Sequence, residues 1–327
     1  MKEIVFVNRN AGRWKVFEDL LNGPDKDNPD KLADLFVQVT DDLAYARTYY
    51  PRSTVVKYLN NLAYRSHQLI YSNKKENKKR LKLFWVQEFP LHLYGIRKYI
   101  FYSLIVLLIS VTIGTVSTLN DDSFVRLILG DSYVNMTLNN IDQGDPMAVY
   151  KKMNQSDMFL GITFNNIMVS IYVFIFGLFL SIGTVYMLFR NGVMLGAFLT
   201  FFYQKGLLGT AMLTIWIHGT LEIFAITVAG AAGIILGNSI LFPGTFSRLE
   251  SFKKGVKKSL KTVLGVAPLF IVAAFLEGFI TRYTDMPVAV RLGIIVASLA
   301  FIVWYFFIFP TKLFKKITAP SKSKTNN

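Results

Sequence analysis

Three ionisable side chains stand inside long apolar runs of this sequence. His218 and Glu222 are four residues apart in one run, and Glu277 lies in a later run. A helix places residues i and i+4 on one face, so His218 and Glu222 would point in the same direction. A charged side chain at mid-membrane costs roughly 2.5–3.5 kcal/mol to insert, so such groups face the interior of a helix bundle and have a partner. We therefore predict that His218, Glu222 and Glu277 converge.

Other polar residues in the same apolar runs extend this cluster. Two of the asparagines form an adjacent pair, and a third follows an arginine directly. Polar groups at membrane depth are expected to face one another rather than lipid. The predicted intramembrane polar constellation consists of His218, Glu222, Glu277, Asn165, Asn166, Asn191 and Arg190.

Three roles are compatible with one histidine and two glutamates in a membrane. A hydrogen-bonded histidine–carboxylate pair would fix the register of the packed helices. Alternatively, the group would handle protons or a solute, because imidazole titrates near neutral pH and carboxyl groups relay protons. The set also matches a zinc site in outline, although the sequence contains no HExxH motif. We adopt the structural role, and we predict no catalytic residue, no metal ion and no cofactor.

The chain that must position these groups has the composition of a helical membrane protein. Hydrophobic residues make up 52% of its 327 residues, and the mean hydropathy is +0.38. Apolar runs reach the ~20 residues that cross a bilayer, whereas a β-barrel would show alternating segments of about ten residues. The sequence therefore predicts an all-α, polytopic membrane protein with about six spans. Its lack of cysteine excludes disulfides, thiolate zinc sites and iron–sulfur clusters.

The net charge of +15 comes largely from basic runs beside the apolar segments. Lysine- and arginine-rich flanks face the cytoplasm, which places residues 74–82 and residues 244–261 inside. Residues 120–157 are rich in aspartate and are therefore placed outside. We predict that both termini are cytoplasmic and that the basic runs contact anionic membrane lipids. We expect no binding to nucleic acid, because no aromatic-basic recognition motif accompanies the charge.

This pattern of charge and hydropathy predicts the layout of the chain. A helical cytoplasmic domain occupies residues 1–98, a transmembrane domain residues 99–310, and a basic cytoplasmic tail residues 311–327. Within the transmembrane domain, residues 120–157 form an extracytoplasmic segment and residues 244–261 a basic cytoplasmic connector. The predicted spans are residues 100–119, 159–189, 191–216, 219–243, 262–280 and 291–309.

Small residues at four-residue spacing predict two helix faces that other helices approach closely. The first face holds Gly192 and Gly196. The second consists of Ala229, Gly233 and Gly237. Such faces let helix backbones come near one another, and they would also suit a homo-oligomer. The Lys205-Gly206 pair leaves open whether residues 191–216 form one span, a broken helix or a re-entrant segment.

Six short segments have a characteristic order along the chain. They are Arg13-Trp14 followed by FEDLL, the pair Asn165-Asn166, RNGVMLGAF from Arg190, HGTLE from His218, AGAAGIILG from Ala229 and AAFLEGFIT from Ala273. Together these segments resemble the stage II sporulation protein M family of bacterial membrane proteins. Family signatures often have a proline before the histidine, where this chain has Ile217, so we assume no proline kink there.

The resemblance implies an integral protein of the bacterial cytoplasmic (inner) membrane. The member that gives the family its name acts in spore engulfment, in a complex that includes two cell-wall hydrolases. It anchors or localises this complex and does not itself hydrolyse peptidoglycan. By this analogy we expect a non-enzymatic scaffold of a cell-envelope complex, with other envelope or membrane proteins as partners. A transporter or channel-like component that uses the His/Glu site is the alternative, and an intramembrane metal-dependent hydrolase is the third. A water-accessible cavity that reaches His218 or Glu222 would favour the transporter.

Overall fold

The computed structural model describes most of the chain, namely residues 2–22, 29–71, 78–151 and 153–319. Within these ranges it contains helices and turns and no strand, so the predicted all-α class is confirmed. Residues 74–77 of the predicted basic run lie outside the described residues, and so do residues 320–327 of the predicted tail. The described chain divides into two units, Met1–Arg80 and Leu81–Asn327.

The first unit is a small bundle of three amphipathic helices, α1 (Glu3–Asn22), α2 (Pro29–Tyr49) and α3 (Thr54–Tyr71). Apolar residues recur along each helix at three- and four-residue spacing, so each helix has one apolar face to bury. These faces pack together into one core. Its buried residues are Phe6, Trp14, Phe17, Leu20, Leu21, Leu32, Val39, Leu43, Ala46, Leu59 and Leu62.

One polar contact joins two helices of this small core. The Asp42 carboxylate oxygen Oδ2 accepts a hydrogen bond from the Trp14 indole Nε1 at 2.8 Å. The same oxygen lies 2.5 Å from the Arg13 guanidinium. Adjacent residues of α1 thus hold one carboxylate of α2, which gives the Arg13-Trp14 pair a role in packing.

The second unit is a bundle of long apolar helices. Helix α4 (Lys78–Leu83), at the boundary of the two units, continues through a π-helical turn, Phe84–Glu88, into the next helix. The remaining helices are α5 (Phe89–Asn120), α6 (Phe124–Leu129), α7 (Asp131–Asp142), α8 (Gln155–Ile175), α9 (Ile182–Gln204), α10 (Leu208–Leu241), α11 (Arg248–Phe275), α12 (Val288–Ile302) and α13 (Phe309–Thr318).

Six helices of the described chain, counted with their continuous π-helical or 3-10 extensions, are long and apolar enough to cross a membrane. They are Arg80–Asn120, Gln155–Leu178, Ile182–Gln204, Leu208–Leu241, Arg248–Thr281 and Val288–Thr318. The short helices α6 and α7 lie in the connection between the first two of them. This is the architecture of a multi-pass membrane protein with six spans.

The turn between the second and third spans lies about ten residues earlier than predicted. The second span ends at Leu178 and the third begins at Ile182, so Arg190 lies within α9 and does not close the second span. Leu180 and Ser181 have positive φ angles of 53° and 68°, a left-handed backbone that ends the helix. No charged residue stands near this turn, so the sequence does not mark it.

A second short turn, residues 205–207, links the third and fourth spans. Gly206 supplies the left-handed conformation that this turn requires, with φ at 71°. The break seen in the sequence at Lys205-Gly206 is therefore the boundary between two spans. Residues 208–216 of the predicted third span belong to α10.

Helix α10 is the central helix of the membrane unit and contacts α5, α8, α9, α11 and α12. The small residues of α10 allow these neighbouring helices to approach closely. A Cβ atom added to Gly233 would lie 2.6 Å from the carbonyl oxygen of Val173, and one added to Gly237 would lie 2.2 Å from the backbone nitrogen of Ser181. Ala229 is fully buried on the same helix. The second predicted face therefore lies against neighbouring backbone.

The first predicted face packs α9 against α5. A Cβ atom on Gly196 would lie 2.2 Å from the carbonyl oxygen of Val111, and one on Gly192 would lie 2.8 Å from that of Leu107. Helix backbones that approach this closely gain van der Waals contact, which drives helix association in membranes. A larger residue would push the two helices apart.

We predict that Gly196→Ala lowers the thermal stability of the purified protein in detergent. The added methyl group meets backbone, which cannot rotate away, and overpacking of this kind costs about 1–3 kcal/mol. Gly161→Ala is the matched control, because Gly161 lies in α8 with no atom within 4 Å of an added Cβ. The control should leave the melting temperature unchanged or slightly raised. Equal melting temperatures for the two variants would contradict close packing at Gly196.

Candidate functional site

Two neighbouring helices place the three ionisable groups of the membrane unit. His218 and Glu222 project from the same face of α10, one helical turn apart. Glu277 lies in the π-helical turn Leu276–Thr281, which continues α11 to the end of the fifth span. Because π-turns inside helices are often found at functional sites, the position of Glu277 on this turn is notable.

The three side chains converge. One ligand atom from each of His218, Glu222 and Glu277 lies within 4.8 Å of the other two. His218 Nε2 and Glu277 Oε2 are 3.7 Å apart. Both side chains are largely buried, with 6% of the His218 side chain and 16% of the Glu277 side chain exposed. The cluster is therefore inside the bundle, and Glu277 retains some access to open space.

A hydrogen-bond chain fixes the orientation of the imidazole ring. The Thr281 hydroxyl donates to the carbonyl oxygen of Leu276 at 3.1 Å, and its oxygen lies 3.0 Å from His218 Nδ1. With the single hydroxyl hydrogen placed on the carbonyl, the hydroxyl oxygen is left to accept a hydrogen from Nδ1, and we assign His218 the tautomer that carries this hydrogen. The other ring nitrogen, Nε2, then carries a lone pair, and it faces the Glu277 carboxyl group.

The asparagines of the predicted constellation come to the same region from α8 and α9. Asn166 is buried and lies close to Glu222, yet its amide nitrogen makes no hydrogen bond of normal distance and angle. Asn165 is exposed, and its amide nitrogen lies 3.5 Å from the Asn166 amide oxygen. Asn191 donates to the backbone carbonyl of Met187 in its own helix at 2.8 Å.

Arg190 stands apart from the other six predicted residues. Its side chain is exposed on α9, and it does not line the cavity that the others share. In the described part of the chain, neither Arg190 nor any other lysine or arginine forms an ion pair with Glu222 or Glu277. In the described chain, the two carboxyl groups are therefore close to each other and to His218 without an ion pair to a lysine or arginine.

A cavity of about 440 Å³ opens beside the cluster. His218, Glu222 and Glu277 form part of its wall, together with Asn165, Asn166 and Asn191. Aromatic and apolar side chains form the rest of the wall, including Tyr133, Tyr150, Phe198, Ile215 and Trp216. A mostly apolar pocket with a few converging polar groups is the usual form of a small-ligand site.

Two of these aromatic residues belong to the connection between the first and second spans. Tyr133 is in α7, and Tyr150 is in the 3-10 turn Ala148–Lys151. The Tyr150 ring lies edge-on to the His218 imidazole, with 5.8 Å between ring centroids. Burial raises the pKa of Tyr150 well above its ordinary value, and the carboxyl groups of Glu277 and Glu222 act in the same direction. Its hydroxyl is therefore protonated at neutral pH.

The sequence did not single out Thr281, Tyr150 or Tyr133. Thr281 follows Glu277 by four residues, as Glu222 follows His218. Residues at this spacing share a helix face, so the sequence contained a signal that Thr281 lies near Glu277. Tyr150 lies in a connecting segment far from His218 in the sequence. No local pattern links a tyrosine there to the site.

Comparison with known protein families identifies the family of the membrane unit. A family model described as stage II sporulation protein M matches residues 103–282, which is more than half of the 327-residue chain. The chain belongs to the stage II sporulation protein M family. The matched region includes His218, Glu222 and Glu277, so the polar cluster lies within the family's own domain.

The N-terminal unit has a separate match. A model described as a domain of unknown function (DUF8413) covers residues 4–72, that is, α2, α3 and all of α1 except its first residue. No curated protein sequence and no solved structure matches the chain. This stage II sporulation protein M family protein therefore combines the family's membrane domain with a distinct helical unit.

We predict that Thr281→Val lowers the stability of the protein by about 1–3 kcal/mol, because it leaves the buried Nδ1–H of His218 without an acceptor. The change preserves side-chain shape, so lost hydrogen bonding is its main effect. Unfolding in mixed micelles at increasing denaturant measures the difference.

Thr112→Val is the control for this measurement. Thr112 is exposed on α5, and its hydroxyl bonds only to the carbonyl of Leu108 in the same helix. Its replacement should change stability by a few tenths of a kcal/mol at most, as is usual for surface substitutions. Similar losses in both variants would show that Thr281 does not hold the imidazole.

Proposed function

We propose that this protein takes a small cationic or polar solute into the cavity beside His218, Glu222 and Glu277, as a transporter or channel-like component. The observation that carries this proposal is the cavity itself, which reaches all three groups. A cluster with a purely structural role would instead be sealed and internally paired. Intramembrane ionisable residues that face a cavity are typical of ion and solute pathways.

The charge distribution supports an orientation for this cavity. Residues 244–261 carry six basic residues and one acidic residue. The predicted connector is mostly helical, because α11 begins at Arg248, so these charges lie on the first half of α11. We place this end of α11 in the cytoplasm together with both termini. The connection 121–154, which is rich in aspartate, then lies outside the cytoplasmic membrane. Tyr133 and Tyr150 of this outer connection line the cavity. We therefore propose that the solute enters from the extracytoplasmic side.

In this orientation the cluster lies near the middle of the membrane. His218 lies ten residues along α10 from Leu208, the outer end of that helix in the proposed orientation. At about 1.5 Å per residue, the imidazole is roughly 15 Å from that end, or half the thickness of the hydrocarbon core. Solute from outside would thus have to pass the aromatic residues before it met the cluster.

The chemistry of the walls favours a cation. Two carboxyl groups and a ring nitrogen with a lone pair all accept hydrogen bonds or bind positive charge. Aromatic faces such as those of Tyr150 and Trp216 also attract cations, and both residues line the cavity. We propose binding and passage of the solute, and we assign no reaction to the site.

A second proposed function is an anchoring role in a cell-envelope complex, as the resemblance to the family's name-giving member implies. Two observations favour it. The chain belongs to that family, and it carries an additional helical unit with its own buried core. A separate domain of this kind is suited to binding a partner protein. The two functions are compatible, but only the first requires access to the cavity.

Cysteine labelling tests whether the cavity is open, and the native chain gives no background because it has no cysteine. Ile215→Cys places a thiol on the cavity wall. We expect a charged, membrane-impermeant thiol reagent to modify it from the extracytoplasmic side of intact cells. The reaction should be roughly tenfold or more faster than at a lipid-facing site, because the reactive thiolate forms in water and not in hydrocarbon.

Val296→Cys is the depth-matched control. Val296 lies eight residues from the start of α12, Ile215 lies seven residues from the start of α10, and both helices start on the same side of the membrane. Val296 is 61% exposed on the outside of the bundle and does not line the cavity. If Ile215→Cys were as unreactive as Val296→Cys from both sides, the cavity would be closed and the anchoring function would be favoured instead.

A further inference from the structure

We propose that His218, Glu222 and Glu277 bind one divalent transition-metal ion, for which zinc is the reference probe. This inference rests on the proposed function, since it names the class of cation that the cavity receives. His218 Nε2 and one carboxylate oxygen from each glutamate would be the protein ligands. Each of these atoms is a donor type that zinc accepts.

The spacing of the three atoms is close to that of a metal site. Zinc binds nitrogen and oxygen at about 2.0–2.2 Å, so two ligands on one ion are roughly 3–4 Å apart. His218 Nε2 and Glu277 Oε2 are 3.7 Å apart, within this range. The largest separation in the set, at most 4.8 Å, needs a contraction of about 1 Å, which rotation of a glutamate side chain supplies.

The orientation of His218 is a second, independent observation. In most metal sites the ligating histidine donates its other ring N–H to an oxygen, which fixes the ring and the tautomer. Here Nδ1 donates to Thr281, whose hydroxyl is itself held by the carbonyl of Leu276. Thr281 is therefore a positioning residue, and it leaves the lone pair of Nε2 free for a cation, with Glu277 Oε2 3.7 Å from this nitrogen.

The charge of the cluster is a third argument. Two carboxylates next to each other in a membrane are unfavourable, and in the described chain neither forms an ion pair with a lysine or arginine. A divalent cation between Glu222 and Glu277 would make the site electrically neutral. The competing explanation, protons held on the carboxyl groups, predicts no bound metal.

A fourth coordination position would face the cavity. Asn166 is 6% exposed, lines the cavity close to Glu222, and has an amide nitrogen with no satisfactory hydrogen bond. The oxygen and nitrogen of such an amide are exchanged by a simple flip, which would direct the oxygen at a cation. The cavity beside it has room for water or solute, as at zinc sites with three protein ligands.

The donor set narrows the class of ion. One imidazole with two carboxylates suits zinc, manganese or ferrous iron, whereas calcium and magnesium prefer oxygen ligands alone. Thiolate sites for cuprous ions are ruled out, because the chain has no cysteine. We therefore expect zinc to bind in the presence of excess magnesium and calcium.

The test is a zinc titration of the full-length protein in detergent, with the affinity tag removed and the protein first treated with a chelator. Calorimetry and elemental analysis after dialysis should give one zinc ion per chain. Glu277→Gln and His218→Gln should each weaken zinc binding by more than about a hundredfold. Loss of a residue that only hydrogen-bonds a metal ligand typically costs about 10–100-fold in affinity, and loss of a ligand itself costs more. Thr281→Val should weaken it by about 10–100-fold.

His92→Gln and Glu250→Gln are the matched controls. The His92 imidazole bonds to the Thr262 hydroxyl at 2.7 Å, and Glu250 is exposed near the start of α11. Both should bind zinc like the native chain. Native protein without stoichiometric zinc or manganese, or zinc retained at full affinity by Glu277→Gln and His218→Gln, would overturn the proposal.

Cobalt substitution tests the site without any variant, in case a ligand variant does not fold. Cobalt(II) in the native chain should give the intense visible absorption of a four-coordinate site, and zinc should abolish it; a weak octahedral spectrum would count against the site.

Labelling at Ile215→Cys separates this inference from the proposed function. An open cavity without metal overturns only the metal site, whereas bound metal in a closed cavity supports the site and overturns solute entry.

Discussion

A polar group inside a membrane is stabilised by other polar groups, and this constraint governs the membrane unit. His218 and Glu222 lie on α10, the central helix, where small residues let neighbouring backbones come close. That close approach brings Glu277 within reach of the imidazole ring. The central helix α10 therefore carries both the small residues that allow close packing and two of the buried ionisable groups. A substitution that moves α10 away from its neighbours would also change the surroundings of His218 and Glu222.

The spans and the cluster of ionisable residues could be predicted from the sequence, because burying polar groups in a membrane is costly and such residues stand out in apolar runs. Long apolar runs predicted the six spans, and isolated ionisable residues in those runs predicted convergence. The turn at Leu180 and Ser181 was not predictable, since ordinary residues there take left-handed conformations. Packing against Gly237 of α10 stabilises that turn, and such a tertiary contact leaves no local signal in the sequence.

The surroundings of the site were likewise harder to predict than its charged members. Glu277 is conspicuous because a carboxyl group is rare in hydrocarbon, whereas Thr281 and Tyr150 are ordinary residues that become relevant only through contact. Tyr150 reaches His218 from a connecting segment, so the site is built from spans and connector together. Resemblance to a family identified the membrane domain, but the residues around the cavity had to come from three-dimensional packing.

The two turns on either side of α9 have a consequence for biogenesis. The turns of residues 179–181 and 205–207 have only three residues each, so α8 with its 3-10 extension, α9 and α10 follow one another almost directly. Alone in lipid, α10 would expose Glu222, and α8 would expose Asn166. Insertion of these three helices as one group would let their polar residues meet each other before they meet lipid.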